Sequence, residues 1–342
     1  MIPFIDLARQ HESIKGELMA ALEGVLRSCR FVLGPEGEAL EAELAALGIG
    51  HGDEVITPAF SFVASASTIV MTGATPVFVD VEPATFALDV EALERALTPR
   101  TRAIVVVHLY GHPAPIDRVV ALARARGIAV VEDTAQAIGA TWDKRPVGGW
   151  GDVACLSFYP TKNLGACGDA GLLLTDRDDV AAHVRRLRHH GDTGRYHHVE
   201  LGYCSRLDEM QAALLRVKLR RLDAWTDARR RLAARYRTLL AGLPLGLPGE
   251  HARARHIYHL FSVRHPQRDA LAKGLADLGV GTAVHYPLPV PGQPLFGDKD
   301  ERRFPQAWRA SREVLSLPCF PELTDAEADE VAAAVRTALE RL

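Results

Sequence analysis

Short apolar runs alternate with helical patterns over residues 54–175, and this alternation restricts the fold more than any other feature of the chain. The apolar runs predict strands over 55–56, 76–81, 103–107, 128–131, 153–156 and 172–174. Helical patterns lie between the first strands, over 62–71, 90–97 and 116–126. Strands that alternate with short helices predict an α/β fold with a mainly parallel sheet, covered by helices on both faces.

The flanking segments predict an N-terminal arm and a smaller C-terminal unit. Residues 2–5 have the pattern of an extended arm, and two helical patterns follow that are broken at Gly34-Pro35. Further helices are predicted over 176–190 and 206–240, the second broken or bent near Trp225. The Pro- and Gly-rich stretch 242–250 indicates a crossing between domains, so we predict a large domain over 1–240 and a small α+β domain over 241–342. The elements predicted in the small domain are strand 259–263, helix 268–278, strand 281–285 and helix 325–342.

Composition and charge exclude several classes of function. The chain of 342 residues has a net charge of −3, so no overall basic field indicates nucleic-acid binding. No apolar run approaches the ~18 residues of a membrane span, and the first residues lack the pattern of a signal peptide. The five cysteines form no C-x-x-C pair, as is typical of a reducing compartment. We therefore expect a cytoplasmic protein that binds neither nucleic acid nor a membrane, and we interpret the Arg-rich run 216–237 as an amphipathic helix with a solvated basic face.

Lys162 is the first candidate for chemistry, because it lies between two strands that are predicted to be buried. It belongs to the stretch Ser157–Gly165, which follows the apolar run 153–156 and precedes the apolar run 172–174. A lysine in such a place is costly unless its charge is paired or its pKa is lowered. A lysine of lowered pKa can form an imine with an aldehyde. The alternative from this pattern alone is a surface lysine in a Gly-rich hairpin.

Other polar residues follow neighbouring strands, where ligands of open α/β sheets bind. Asp133 follows strand 128–131 and His108 follows strand 103–107, so both are expected at the same edge of the sheet as Ser157. An acid directed at a pyridine nitrogen keeps that ring protonated, as pyridoxal phosphate chemistry requires, and Gln136 could donate to the cofactor's phenolate oxygen. Asp133 as a helix cap and Ser157 as a turn residue remain open. Neither this edge nor the histidine pairs at 189–190 and 197–198 predict a metal site.

Two stretches carry a resemblance to a known family. Residues 131–140, VEDTAQAIGA, and 157–165, SFYPTKNLG, resemble the signature stretches of the sugar-nucleotide aminotransferases of DegT/StrS type. Those proteins are pyridoxal-phosphate enzymes with the aspartate-aminotransferase fold, fold type I. The likeness continues through most of the chain, in the stretches GDEVITP, VHLYG, SRLDE, HYP and SLP at 52–58, 107–111, 205–209, 285–287 and 316–318.

The resemblance implies a role for each candidate residue. Lys162 would bind the cofactor covalently and shuttle the proton. The residues implied around the cofactor are Asp133 at the ring nitrogen, Gln136 at the phenolate oxygen, Ser157 at the phosphate and Phe62 on the ring face. For Phe62, a place in the apolar core of helix 62–71 remains an alternative. His285, Tyr286 and Arg206 would bind substrate.

The resemblance also implies the reaction and the assembly. An amino group would pass from an amino acid, usually L-glutamate, to a nucleotide-linked keto-sugar. Family active sites are built from both subunits of a homodimer, with the stretch Ser205-Arg206 near the partner's cofactor, so a homodimer is expected.

The chain departs from the family pattern after Leu47. At this point the family has a strand, a Ser-Gly-Thr turn and a helix whose backbone N–H groups hold the cofactor phosphate. Here Leu47 is followed directly by Gly48, so about two dozen residues of the pattern are absent, and we expect weakened binding of the phosphate. Cys204 also replaces a usual asparagine, and Pro291 a common histidine.

These departures leave alternatives to an active aminotransferase. One is a cofactor-deficient, inactive homologue that serves as a partner or regulatory protein. Another is the dehydratase branch of the family, in which a histidine replaces the lysine, so Lys162 disfavours it. A third is that the gap is an artefact of how the gene was defined.

Overall fold

The structure is a computed structural model, and it describes residues 1–28 and 47–342. The helical pattern predicted after Gly34-Pro35 lies outside the described residues. The N-terminal arm is followed by helices α1 (Leu7–Ser13) and α2 (Lys15–Ser28). The arm lies on the C-terminal unit: the backbone N–H of Ile2 donates to the carbonyl of Gly279 and its carbonyl accepts from the N–H of Gly281, both at 2.9 Å.

A six-stranded sheet forms the centre of the molecule. Its strands are β1 (Glu54–Pro58), β2 (Thr75–Val79), β3 (Thr101–Val107), β4 (Ala129–Asp133), β7 (Val153–Ser157) and β8 (Gly171–Leu174). They lie in the order β2–β1–β3–β4–β7–β8, with β8 antiparallel to β7 and the other neighbours parallel. The prediction of a mainly parallel sheet is confirmed.

Both faces of this sheet are buried, as the apolar runs require. Successive residues of a strand point to opposite faces, so Val55 lies in one core cluster and Ile56 in the other. One face packs against α3 (Ala64–Met71) and the other against α4 (Val90–Ala96) and α5 (Ile116–Arg124). The connections on the C-terminal side of β1, β3, β4 and β7 therefore meet at one edge of the sheet.

The rest of the chain adds helices and short antiparallel strands. After the main sheet come α6 (Asp178–Leu187), α7 (Glu209–Leu219) and α8 (Leu222–Leu239), then α9 (Arg268–Asp277), α10 (Pro305–Glu313) and α11 (Asp325–Leu339). Strands β5 (Thr141–Trp142), β6 (Arg145–Pro146) and β9 (Ala254–Arg255) form a three-stranded sheet, and β10 (Phe261–Arg264) pairs with β11 (Val314–Leu317). The second half of α8 packs with α9, α11 and this last pair in a core of its own.

The break predicted in the helical segment 206–240 is present, but it lies at Arg220 and Arg221, a few residues before Trp225. The break lets α7 pack against the N-terminal helices while α8 continues into the C-terminal core. The strand expected over 281–285 is absent from the described elements, because this segment makes only single bridges, Val280 with Ile2 and Ala283 with Ser316.

Several elements had no counterpart in the prediction, namely helix α10 and strands β5, β6, β9 and β11. In the parts of the chain that the structure describes, the helices are too short or too polar to cross a membrane.

Candidate active site

Lys162 lies in a short loop just beyond the carboxyl end of β7. The loop is closed by two backbone bonds, from the N–H of Lys162 to the carbonyl of Tyr159 at 2.8 Å and from the N–H of Ala166 to the carbonyl of Phe158 at 2.7 Å. Burial lowers the pKa of the Lys162 amine, and the nearby carboxylate of Asp133 opposes this shift without reversing it. A lysine of lowered pKa has more neutral amine at neutral pH, which is the form that attacks a carbonyl carbon.

Asp133 is the last residue of β4, and the register of the sheet places it opposite Cys155 of β7. Its Oδ1 accepts a bond from the backbone N–H of Ala135 at 3.1 Å. Burial raises the pKa of its carboxyl group, against the lowering effects of the Ala135 N–H and the Lys162 amine. Among the described residues Oδ2 has no hydrogen-bond partner, so the carboxyl group can also serve a ligand. It is not a helix N-cap, because the residues after it form turns.

Gln136 is held between two tyrosines. Its Oε1 accepts from the backbone N–H of Tyr110 at 2.7 Å, and its Nε2 donates to the hydroxyl of Tyr286 at 3.0 Å. An amide nitrogen has two N–H donors, so one remains for a further acceptor. Burial raises the pKa of Tyr286 to about 12, so its hydroxyl stays protonated near neutral pH.

Aromatic rings line one side of this group. The ring of Phe62 lies 5.7 Å from the ring of Tyr286, and Phe62 is 53% exposed. That exposure contradicts the interpretation of Phe62 as a core residue of the helix predicted over 62–71 and leaves its ring open to a ligand. Ser157, at the end of β7, accepts a bond from the backbone N–H of Tyr159 at 3.2 Å, and its own hydroxyl proton is available to an acceptor.

His285 and Tyr286 join this cluster from the C-terminal unit. Nδ1 of His285 lies 3.1 Å from the hydroxyl of Ser316, and the hydroxyl of Tyr110 donates to the His285 carbonyl. Burial, assisted by the charge of Lys162, lowers the pKa of His285 to about 4, so the ring is neutral at neutral pH. The structure thus brings together residues from the ends of β4 and β7 and from the segment at 285–286.

Arg206 does not join this cluster within one chain. Among the described residues its guanidinium meets Nδ1 of His189 at 3.2 Å and Sγ of Cys204 at 3.0 Å. The neighbouring loop at 189–206 carries exposed aromatic and aliphatic side chains, among them Tyr196, Leu201 and Tyr203. Its histidines are used in local contacts, such as His198 Nδ1 with the carbonyl of His190 at 2.9 Å. In the described ranges no group of three or more potential ligand side chains is placed to hold a metal ion.

Several buried polar residues make contacts that the sequence did not predict. His108 was expected to face the ligand edge, yet its Nε2 bonds to Glu132 at 3.1 Å and its Nδ1 accepts from the N–H of Ala114 at 3.0 Å. Asn163, next to Lys162, bonds to Nδ1 of His259 at 3.0 Å. Lys218 and Arg229 lie fully or almost fully buried inside the run that we interpreted as a solvated basic face. For Lys218 a signal was present, since it lies in the mainly apolar sequence LLRVKL.

Comparison with known proteins identifies the family. The DegT/DnrJ/EryC1/StrS aminotransferase family matches residues 32–336. The chain belongs to this family. The predicted family and the class of enzyme, a pyridoxal-phosphate-dependent transaminase, are thereby confirmed.

Individual relatives match along nearly their whole length. A protein of Geobacillus stearothermophilus named "pleiotropic regulatory protein" is 44% identical, over 95% of this chain and 95% of its own. The dTDP-3-amino-3,4,6-trideoxy-alpha-D-glucose transaminase of Streptomyces venezuelae is 43% identical, over 100% of this chain and 97% of its own. That match spans 367 aligned positions, which is 25 more than the 342 residues of this chain, so the relative has at least that many positions without a counterpart here.

Solved structures agree with the fold. The structure of S. venezuelae DesV in complex with a ketimine intermediate has a TM-score of 0.95 at 41% identity, covering 100% of this chain and 99% of its own. A putative sugar aminotransferase from Streptococcus pneumoniae, in its PLP form, has a TM-score of 0.87 at 26% identity, covering 95% of this chain and 96% of its own. The predicted fold type I architecture is confirmed.

The site fits the ring of pyridoxal phosphate better than it fits the phosphate. Lys162, Asp133, the remaining N–H of Gln136 and the open ring of Phe62 offer an amine, an acid, a donor and an aromatic face. For the phosphate, the described residues offer the hydroxyl of Ser157. Leu47 and Gly48 are consecutive residues, and Gly48 lies in a turn at φ +70°.

Proposed function

We propose that this protein transfers an amino group from an amino acid, L-glutamate by family resemblance, to the keto group of a nucleotide-linked sugar, with pyridoxal phosphate as its cofactor. The observation that carries the proposal is the half-buried Lys162 of lowered pKa beside Asp133, at the ligand edge of the sheet. Support for the sugar substrate comes from relatives such as the S. venezuelae transaminase.

We also propose two domains, over 1–240 and 241–342. We propose a cytoplasmic location as well, since the four described cysteines are free thiols.

Each residue would have a distinct task. Pyridoxal phosphate, when bound, supplies an aldehyde and an electron-withdrawing ring. Lys162 would bind the aldehyde carbon and, when free, move a proton to or from the substrate carbon. Asp133 would hold a proton on the ring nitrogen. Gln136 would donate its second N–H to the phenolate oxygen, with its orientation fixed by the bonds to Tyr110 and Tyr286.

The remaining residues would hold the two ligands. Ser157 would donate to the phosphate and Phe62 would cover the ring. His285 and Tyr286 would contact the sugar substrate from the C-terminal unit, and Arg206 would act in the partner subunit's site, since it lies outside the cluster of its own chain.

Transfer of labelled nitrogen tests this function. The protein, with saturating pyridoxal phosphate, is incubated with ¹⁵N-labelled L-glutamate and a panel of UDP- and dTDP-linked keto-sugars. Mass spectrometry should show ¹⁵N in one of the sugars. Transfer from another amino acid but not from glutamate would refute L-glutamate as the amino donor, and the aminotransferase activity would still be supported. Absence of transfer to every sugar in the panel, from every amino acid tried, would refute the aminotransferase.

A second candidate function is a cofactor-deficient partner or regulatory protein. One observation favours it: the S. venezuelae transaminase has at least 25 aligned positions without a counterpart in this chain, and the family resemblance implies that the missing strand, turn and helix would follow Leu47. The regulatory name of the Geobacillus relative is consistent with it. The two candidates differ in how strongly the chain binds its cofactor.

We expect this chain to bind pyridoxal and pyridoxal phosphate with similar, weak affinity. If the gap removes three charge-assisted bonds of about 1.5 kcal/mol each, affinity for the phosphorylated form falls by roughly three orders of magnitude. The bond between Lys162 and the aldehyde carbon, and the pairing of Asp133 with the ring nitrogen, would not depend on the phosphate. Titration of both compounds, followed by absorbance, measures the two affinities.

An insertion serves as the matched test of that expectation. A family-like strand, Ser-Gly-Thr turn and helix placed between Leu47 and Gly48 should restore preference for pyridoxal phosphate, whereas a Gly/Ser linker of equal length should not. Tight, phosphate-selective binding by the unaltered chain would show that another segment holds the phosphate.

We propose a homodimer, with each site completed by the other subunit. In a single chain, the aromatic side chains of Phe62 and Tyr159 beside the site are each 53% exposed, and Leu201 of the loop at 189–206 is 97% exposed. Their contact with a second subunit would remove this surface from water. Sedimentation at micromolar concentration should show a dimer. A monomer under these conditions would contradict the assembly.

A further inference from the structure

Lys218 is a fully buried lysine that the reaction as described does not use. It lies in the last turn of α7 with 0% of its surface exposed. Its Nζ donates to the carbonyl of Gly165 at 2.6 Å and lies 3.0 Å from Nε2 of His11. Among the described residues, the amine forms these two contacts and none with a carboxylate. Burial lowers its pKa. A buried amine is costly to place, so the contacts it makes indicate its role.

The carbonyl that Lys218 holds belongs to the loop that presents Lys162. Gly165 is three residues beyond Lys162, and a Cβ at this position would collide with the carbonyl of Pro160. The loop is therefore folded tightly back on itself, and the Gly165 carbonyl is directed into the protein towards α7. The bond to Lys218 fixes the orientation of that peptide group.

A second residue of α7 holds the same loop. Gln211 is seven residues before Lys218, about two helical turns, so both side chains lie on one face of the helix. Its Oε1 accepts from the backbone N–H of Cys167 at 2.7 Å, and its Nε2 donates to the Cys167 carbonyl at 3.2 Å. Helix α7 thus binds the loop at Gly165 and at Cys167.

Lys218 also ties this arrangement to the N-terminal helices. His11 belongs to α1, and the next helix packs against α7 through a shared apolar cluster that contains Ile14, Leu18, Leu214 and Val217. His11 accepts from Lys218 only when Nε2 is unprotonated, and burial lowers its pKa, as does the charge of Lys218. The loop, α7 and the N-terminal helices therefore form one connected unit.

We propose that Lys218 is a positioning residue for Lys162. Its amine, supported by His11, fixes the Gly165 carbonyl and thereby holds the Lys162 loop in a shape that keeps the reactive amine shielded from water. This inference rests on the proposed role of Lys162 as the amine that binds an aldehyde.

The test measures the reactivity of Lys162 directly and does not depend on amino transfer. Full-length protein is mixed with pyridoxal at a series of pH values and reduced with borohydride, and the labelled lysines are mapped by mass spectrometry. With Lys218→Met the loop loses its anchor, water reaches Lys162 and the pKa of its amine rises towards the usual lysine value. We expect labelling of Lys162 near neutral pH to slow by about tenfold, with the half-maximal rate moved to higher pH.

Three further variants make the result decisive. Gln211→Met leaves the buried lysine in place and should shift the labelling profile in the same direction, which keeps the proposal testable if Lys218→Met fails to fold. Lys218→Arg, which keeps a donor, should retain more reactivity than Lys218→Met. Lys273→Met removes an exposed lysine from α9 and should leave the profile unchanged.

The outcomes separate the two proposals. Absence of labelling at Lys162 in the unaltered protein would refute the proposed function. Labelling of Lys162 at the same rate and with the same pH profile in the unaltered protein and in folded Lys218→Met or Gln211→Met would refute the positioning role alone.

Discussion

Replacement of Lys162 by alanine should reduce amino transfer by about 10⁴-fold, because the variant loses both the covalent attachment of the cofactor and the proton carrier. The expected effect on stability is small. The lowered pKa of Lys162 shows that its charged amine is unfavourable in this half-buried position, so little stability is lost when the amine is removed. The rate of glutamate consumption at saturating pyridoxal phosphate measures the first effect, and urea unfolding the second.

Two comparisons check this prediction. Lys273→Ala removes a lysine at an exposed position and should leave the rate unchanged. Addition of a small free amine should restore part of the activity of Lys162→Ala, because it can replace the missing proton carrier. A Lys162→Ala protein that retains more than about a tenth of the original rate would contradict the role of Lys162.

Replacement of Glu132 by alanine should destabilise the fold by about 4 kcal/mol or more. The carboxylate is fully buried and accepts from the backbone N–H groups of Gly148, Trp150 and Gly151 at 2.7–2.8 Å. It also bonds to Nε2 of His108, which carries the proton because Nδ1 accepts from the N–H of Ala114. The variant would leave up to four donors without an acceptor, each at a cost of about 1–3 kcal/mol. Urea unfolding measures the difference.

The control and the pH dependence follow from the same contacts. Glu94→Ala removes an exposed carboxylate that, among the described residues, forms one ion pair, with Arg126, and it should cost less than about 1 kcal/mol. Burial acts to raise the pKa of Glu132, but hydrogen bonds from His108 and backbone N–H groups outweigh it and lower the pKa. The contribution of Glu132 to stability is therefore present above the ordinary pKa of glutamate and is lost as pH falls through the lowered value. Glu132→Gln should reduce this loss in acid. A cost below 1 kcal/mol for Glu132→Ala would contradict the account.

The sequence predicted the central sheet well, because its strands are buried on both faces. Runs such as Val105-Val106-Val107 are apolar without interruption, and Gly127 ends the preceding helix pattern close to its end in the structure. The structure of the segment at 281–285 was harder to predict, because the pairing of this part of the chain is divided between the arm and β11 and gives single bridges only. Its strand-like composition did not reveal this.

Some residues of the candidate site could likewise be predicted from the sequence, and others could not. Lys162 and Asp133 could be predicted because each follows an apolar strand, and parallel strands bring such positions to one edge. Tyr110 and Tyr286, which hold Gln136, are 176 residues apart in sequence, and no local pattern joins them. Lys218 and Arg229 were placed on the helix surface by periodicity, yet each bonds to backbone carbonyls in the interior. Long-range polar contacts of this kind require the tertiary structure.

The most direct test of the central claim is to identify the lysine that binds the cofactor. The protein is mixed with excess pyridoxal phosphate, its visible absorbance is recorded, and borohydride is added before peptide mapping. We predict an absorbance band in the visible range that disappears on reduction, with the cofactor fixed on Lys162. Modification of another lysine, with Lys162 unmodified, would contradict the account.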